Sequence, residues 1–231
     1  MQKLQYHVIG IPHYLTHEWL VKKHYAHRIP SITWAFGLYD ISETLQGVCT
    51  FGTPASSPLR QGVCGLKHID LVIELNRLVI NDGLPANTAS YFVSRCLKFL
   101  PIPSIVISFA DPSHGHTGYI YQACNFIYTG LSAKRTDWKV KGMENLHSVT
   151  IADMTRGSNN RAEIMRQKYG DDFYLEDRAQ KHRYVFIIGD KTQKAEILKD
   201  LLYHPQPYPK GDNTKYDASY TPTQQGIMFL E

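Results

Sequence analysis

The chain has 231 residues, 43% apolar and 20% charged, the balance of an ordinary globular protein with room for one large domain or one domain plus an insertion. Collagen-like, coiled-coil and wholly disordered chains are excluded. The formal charge is 25 − 21 = +4 with 11 histidines besides, which is compatible with an anionic partner without requiring one. Cysteines stand at 49, 64, 96 and 124 with no C-x-x-C pair, so neither a zinc ribbon nor a disulfide framework is indicated and a reducing compartment fits. No apolar run approaches the roughly 20 residues of a membrane span. Residues 1–10 lack a basic region followed by an apolar stretch, so no signal peptide is expected and a cytosolic location is.

In chain order, Tyr6–Ile11 reads as a short strand stopped by Pro12. Thr16 can cap a helix from His17 to about His27, with Trp19, Leu20 and Tyr25 apolar and Lys22, Lys23 and Arg28 basic. Ser31–Asp40 and Leu45–Thr53 read as strands joined in a hairpin around Ile41–Thr44, and Pro54–Cys64 as a loop. Asp70–Asn81 is a strong strand pattern broken by Gly83 and Pro85. A helix then starts at Asn87 or Thr88 and runs to Leu100, with Phe92, Cys96 and Phe99 on one face. Ser104–Ala110 is almost wholly apolar, the pattern of a strand buried on both faces. A short helix over Gly118–Asn125 and a strand over Phe126–Leu131 follow.

Residues 132–180 show little strand signal and one helix, Asn160–Tyr169, so they read as an insertion. His182–Gly189 is a further strand. Lys191–Leu202 is an amphipathic helix with Ala195, Leu198 and Leu202 inward. From Pro205 on, Pro, Gly, Asn, Thr and Gln predict an irregular extension over 205–231.

This order predicts an α/β fold with a mixed, mostly antiparallel sheet flanked by helices. The stretch Glu74–Gly130 carries the chemistry. A strand feeds a Gly/Pro loop and a helix N-terminus, whose unpaired amides attract anions. The buried strand beside it ends in Ser108-Phe109-Ala110-Asp111, and ligands collect where such strands splay.

The segments ELNRLVINDGLPANTASYFVSRCLKFL and IVISFADPSHGHTGYIYQACNFIYTG resemble the fourth strand to fourth helix of GNAT acyltransferases. The GNAT pattern Tyr-x-x-x-Gly-Phe stands here as Tyr121 to Phe126 with Asn125 at the glycine. The loop R/Q-x-x-G-x-G/A is replaced by Gly83–Ser90. The runs KKHYAHRIPSITWAFGLYD, GVCTFGTPAS, ELNRLVINDGLPANTASYFVSR, SFADPSHGHTGYIYQACNFIYTG, KHRYVFIIG and PYPKG together resemble the Mom family, the DNA-modifying family named for bacteriophage Mu. That resemblance implies a GNAT-like domain over 1–204. It implies conversion of the adenine 6-amino group in DNA to a carbamoylmethyl (acetamido) form, protecting phage DNA from restriction in the host cytoplasm. It also implies acetyl-CoA or another acyl or aminoacyl donor, and iron. Leu78, Val79, Ile80, Ala86, Asn87, Thr88, Ala89, Ser90 and Asn125 fall on the donor-binding positions.

Several residues carry two readings each. Glu74 is a general base or a strand carboxylate paired with Arg77. Tyr121 protonates a departing thiolate or is a core aromatic. Ser108 orients a substrate group, being a weak nucleophile without a His–Asp partner. Ser90 contacts phosphate or caps its helix. Asp111, followed by His114 and His116, and His24 offer carboxylate and imidazole ligands suited to iron, with Asp111, His116 and His24 the expected set and Tyr25 beside them; against this, His-x-His loops occur without metal and Asp111 suits an Asx turn. Double-stranded DNA with an extruded adenine would meet Lys22, Lys23, Arg28, Arg156, Arg161, Arg166 and Lys168, unless these clusters are solvated faces. Two other functions stay open: a plain acetyl-CoA-dependent acyltransferase for a small amine or protein lysine, and a non-catalytic DNA-binding anti-restriction protein.

Overall fold

The computed structural model describes residues 5–54, 56–146, 148–211 and 220–222. Contacts divide the chain into two compact units, residues 1–130 with 182–231, and residues 131–181.

The first unit holds a seven-stranded sheet. Its strands are β1 (Tyr6–Gly10), β2 (Trp34–Asp40), β3 (Leu45–Gly52), β4 (Val72–Ile80), β5 (Ser104–Ala110), β6 (Ile127–Leu131) and β9 (His182–Ile188), in the order β1-β2-β3-β4-β5-β9-β6. The pairs β1–β2, β2–β3, β3–β4 and β5–β9 are antiparallel and β4–β5 is parallel. The fold class read from the sequence therefore holds. Helices α2 (Thr88–Cys96) and α3 (Tyr119–Ala123) serve one face, where Phe92, Val93 and Cys96 pack with Ile73, Leu75, Val106 and Tyr184. Helices α1 (Ser57–Cys64) and α6 (Lys191–Lys199) serve the other, where Val63, Cys64, Ile197 and Leu201 meet Val72, Ile105, Ile107 and Val185. Alternate residues of β5 thus enter two cores, which is why its sequence is apolar almost throughout.

Residues 54–64 are not simply a loop. The Ser and Pro that suggested one are helix-start residues: Ser56 Oγ accepts from the Leu59 amide at 3.3 Å, and Pro58 sits in the first turn, where its missing N–H costs nothing. Residues 17–27 form no long helix. A 3-10 turn, His13–Thr16, leads into a π-helical turn, Trp19–Lys23, closed by the His24 amide donating to the Trp19 carbonyl at 2.9 Å. Thr16 donates to the His13 carbonyl and makes no cap. On α6 the buried residue is Ile197, followed by Leu201 just past the helix, each one position off the expected Leu198 and Leu202, which are 44% and 56% exposed. Phe99 is also exposed, because α2 gives way at Leu97 to a 3-10 turn that swings the last residues out of helical register.

The second unit has its own small core of Val140, Ile151, Met165 and Phe173. The strands β7 (Arg135–Val140) and β8 (Phe173–Arg178) pair antiparallel beside α4 (Ser148–Asp153) and α5 (Arg161–Tyr169). The strands went unread because each buries only a few side chains, so the apolar alternation is faint. Residues 205–211 form neither helix nor strand; the rest of the expected irregular extension, apart from 220–222, lies outside the described residues. Among the described residues no helix is long and apolar enough to cross a membrane.

Chemical denaturation tests the α6 register. Ile197→Ala should lose about 2–5 kcal/mol, whereas Leu198→Ala should stay within about 1 kcal/mol of the parent.

Candidate active site

The site begins where the β4–β5 ladder ends. The parallel pairing covers only Val72–Glu74 against Ile105–Ile107. Beyond it β4 pairs with β3 and β5 with β9, so the sheet opens between them. At the opening the buried Ser108 hydroxyl donates to the Leu75 carbonyl at 2.9 Å, replacing a ladder bond with a side chain. One residue further, β4 bulges: Thr50 faces Arg77 while Phe51 faces Leu75, leaving Asn76 unmatched. Asn76 is fixed by accepting from Thr50 Oγ1 at 2.6 Å and donating to the Ser31 carbonyl at 2.8 Å. The bulge shifts side-chain parity, so Ile73 and Leu75 before it and Leu78 and Ile80 after it pack on the same core.

Arg77 lies just past this bulge. Its Nη1 donates to the Asn76 carbonyl at 2.6 Å, and its Nε is buried with no hydrogen-bond partner among the described residues. Burial disfavours its charge, while Tyr25, Glu74 and Tyr121 stand close enough to favour it, against Arg28. Sequence reading used Arg77 only as a partner for Glu74. The signal available was a guanidinium set inside an apolar strand.

Tyr121 projects from α3. Burial raises its phenol well above the ordinary value; a hydrogen bond with Ser108 opposes this, and Tyr25, Cys49 and Glu74 add to it. The phenol keeps its proton at neutral pH, as a proton donor must. Tyr25 is held between two imidazoles, with the His24 ring centroid at 4.3 Å and the His114 centroid at 4.1 Å, and the His116 ring edge-on at 5.8 Å. Its phenol is raised by burial and by Asp111, and lowered by Arg77. Glu74, Tyr121, Ser108, Tyr25 and Asp111 are therefore neighbours of one another through Arg77 and the histidines, and His114 joins them.

Two of the three expected metal ligands make local hydrogen bonds to the backbone. The buried Asp111 uses Oδ1 to accept from the Ser113 amide at 3.0 Å and the Ser113 hydroxyl at 2.6 Å, the Asx-turn arrangement. His24 Nδ1 accepts from the Ala26 amide at 3.0 Å. Among the described residues no three or more His, Cys, Asp or Glu side chains are grouped to hold a metal ion. No step is routed through iron.

The loop toward α2 places Asn87 in the left-handed region, φ +68°, without a side-chain cap bond. Ser90 donates to the Asn87 carbonyl at 3.0 Å, so it does not cap the helix either. Ala86, Thr88 and Ala89 complete that turn, and Thr88 is buried. Leu78 and Ile80 pack toward α2, and Val79 packs with Trp19 and Leu20 on the opposite face. Asn125 adopts φ +60° just after α3, the position where glycine is usual and asparagine is the best-tolerated substitute.

Of the basic residues, Lys23 requires correction as a phosphate contact: it is buried, its ammonium held by Asp82 at 3.0 Å and by the Tyr220 carbonyl at 3.0 Å. Lys22 and Arg28 are exposed. In the second unit Arg156 pairs with Asp153 through both nitrogens, Arg161 donates to the Ala152 carbonyl and lies over the Trp138 ring, and Arg166 and Lys168 are exposed on α5.

Residues 5–210 match the Mom protein family. The chain belongs to that family. It is 32% identical over 142 residues to the methylcarbamoylase Mom of Escherichia phage Mu, a match spanning 60% of this chain and 56% of that protein's length. Among solved structures it is similar to a variant of the spermidine N-acetyltransferase SpeG of Vibrio cholerae, with TM-score 0.44, 10% identity and coverage of 85% of this chain and 98% of the other. It is also similar to an N-acetyltransferase of Staphylococcus aureus Mu50, with TM-score 0.41, 12% identity and coverage of 79% and 98%.

One electrostatic consequence of this Mom-family site is measurable. Burial lowers the His24 pKa to about 3, with Arg77, His116, His27 and His114 adding to the effect. Between about pH 6.5 and 3 the unfolded chain therefore binds a proton at His24 that the folded chain refuses. His24 should cost no stability above pH 6.5 and destabilise the fold progressively below it, by at most about 1.4 kcal/mol per pH unit. His24→Asn keeps an acceptor for the Ala26 amide and should flatten the fall in denaturation midpoint between pH 7 and 5.

Proposed function

We propose that this chain is a transferase that modifies adenine in DNA, placing a carbamoylmethyl (acetamido) group on the 6-amino nitrogen and so shielding phage DNA from restriction in the host cytoplasm. The observation that carries the reading is the convergence of Glu74, Ser108, Tyr121 and Tyr25 around Arg77 at the opened β4–β5 junction of a Mom-family chain.

A donor with an amide-bearing arm would add to the open side of β4 beyond Glu74, as a strand adds to a sheet edge. Its anionic end would meet the leading amides of α2, where Asn87 supplies no side-chain cap. Acetyl-CoA, or another acyl or aminoacyl donor, has both parts. Glu74 takes a proton from the adenine amine as its nitrogen bonds to the donor's carbonyl carbon and the bond to the leaving group breaks. Acetyl-CoA would give only an N6-acetyl group by this route, whereas a glycyl donor delivers N6–CO–CH2–NH2, an isomer of the carbamoylmethyl product that reaches it when the free amine displaces the amide nitrogen at the purine C6. Tyr121, kept protonated by burial, gives one to the leaving group, while Ser108 holds the phenol in place. The buried, partly unsatisfied Arg77 guanidinium supplies positive charge where negative charge develops.

The amine of adenine is paired inside the duplex, so the base is extruded at a cost of a few kcal/mol. Contacts from exposed basic residues, Arg28, Arg166 and Lys168 foremost, offset part of that cost. Binding should weaken steeply between 50 and 200 mM salt if several phosphates are engaged; a flat dependence in a fluorescence titration would remove duplex DNA as the partner.

Mass spectrometry of nucleosides from cells expressing the chain tests the reaction itself. Deoxyadenosine should gain the mass of an acetamido substituent. Tyr121→Phe and Glu74→Gln should each reduce that product by about 10²-fold or more while remaining folded. Unmodified deoxyadenosine alongside folded parent protein would overturn the proposal.

A further inference from the structure

The π-helical turn Trp19–Lys23 carries His24 and Tyr25 into the site, and its side chains are tied down from a distant part of the sequence. Tyr220 reaches it three ways. The Tyr220 carbonyl accepts from Lys23 Nζ at 3.0 Å, its hydroxyl donates to the Glu18 carboxylate, and its ring lies under Lys22 Nζ, 5.4 Å from the centroid. The Lys22 ammonium is held charged first by its hydrogen bond with Tyr220, then by Glu18. Pro222, two residues on, is buried. Lys23 also bonds Asp82 at 3.0 Å, in the loop between β4 and α2. One buried ammonium thus joins the turn bearing Tyr25, the loop leading to the proposed donor helix, and the segment around Tyr220.

A π-turn needs such support. Its i→i+5 bond is a rare geometry, frequent at functional sites. Here the aim matters because Tyr25 is wedged between His24 and His114 and touches the field of Arg77 and Asp111. The backbone just after the turn is irregular, with His27 at φ +43°, so the turn and its anchors fix the entry of Tyr25.

We propose that Tyr220 is a positioning residue of the active site, clamping the π-turn so that His24 and Tyr25 stand in working register with the donor loop. The proposal rests on the reading of this cleft as the DNA-modifying site. Lys22 and Lys23 are on this account the anchor points of the clamp rather than phosphate contacts.

Hydrogen exchange on the full chain, with Tyr220→Ala and Tyr220→Phe, tests the clamp independently of the reaction. In Tyr220→Ala the amides of residues 19–28 should exchange at least about fivefold faster, with β4 and β5 unchanged. The adenine-modification rate at saturating DNA should fall about tenfold while DNA affinity stays within about twofold. Tyr220→Phe keeps the ring and, like Tyr220→Ala, the backbone carbonyl, and loses the hydroxyl's bonds with Glu18 and Lys22, so it should recover most of the rate; it also carries the comparison, with a smaller rise in exchange over 19–28, should Tyr220→Ala fail to fold. Parental exchange over 19–28 in both variants overturns the clamp. Faster exchange with an unchanged or increased rate, or a loss confined to DNA affinity, overturns the positioning role. A parent chain that leaves adenine unmodified sinks the functional reading instead, and the exchange comparison still decides whether Tyr220 holds the turn.

Discussion

Beyond Glu74 and Ile107, two parallel strands stop exchanging hydrogen bonds, and the backbone groups so released must be satisfied in another way. The Leu75 carbonyl takes the Ser108 hydroxyl. The next residues of β4 turn through a bulge at Asn76 and face β3 alone. A sheet with a continuous ladder here would be a closed core with no room for substrate. The interruption leaves a wedge bounded by two strands and capped by the helices that follow each of them, and the polar residues of the chain's central third gather at it.

The electrostatics of the wedge follow from the same geometry. Arg77 is carried on a strand that enters the core, so its guanidinium is partly desolvated and still charged. Around it the titratable groups settle in the forms that burial favours: phenols protonated at Tyr25 and Tyr121, imidazole neutral at His24. A fixed cation beside protonated phenols suits a reaction in which negative charge appears transiently.

Local order also depends on distant anchors. The buried Lys23, between Asp82 and the Tyr220 carbonyl, couples segments separated by 59 and 197 residues. An ammonium removed from water requires such partners, because leaving it unpaired costs several kcal/mol. Its burial converts what sequence reading took for one of a pair of surface lysines into a structural hub.

The sequence determined the strands of the main sheet, the two cores of β5, the breaks at Gly83 and Pro85, and the chemistry-bearing run from Glu74 to Asn125, because period-2 burial and turn chemistry are local signals. Its motifs also marked the family. Elements with faint local signals escaped it: α1, written in residues that also make loops, and β7 and β8, which bury too little to alternate clearly. Only the tertiary structure decided that the β4–β5 ladder ends after three pairs, that Arg77 joins the site, that Lys23 turns inward, and that Asp111 serves a turn. Each depends on partners brought together from far along the chain, and a side chain's burial and charge state are set by those partners rather than by its neighbours in sequence.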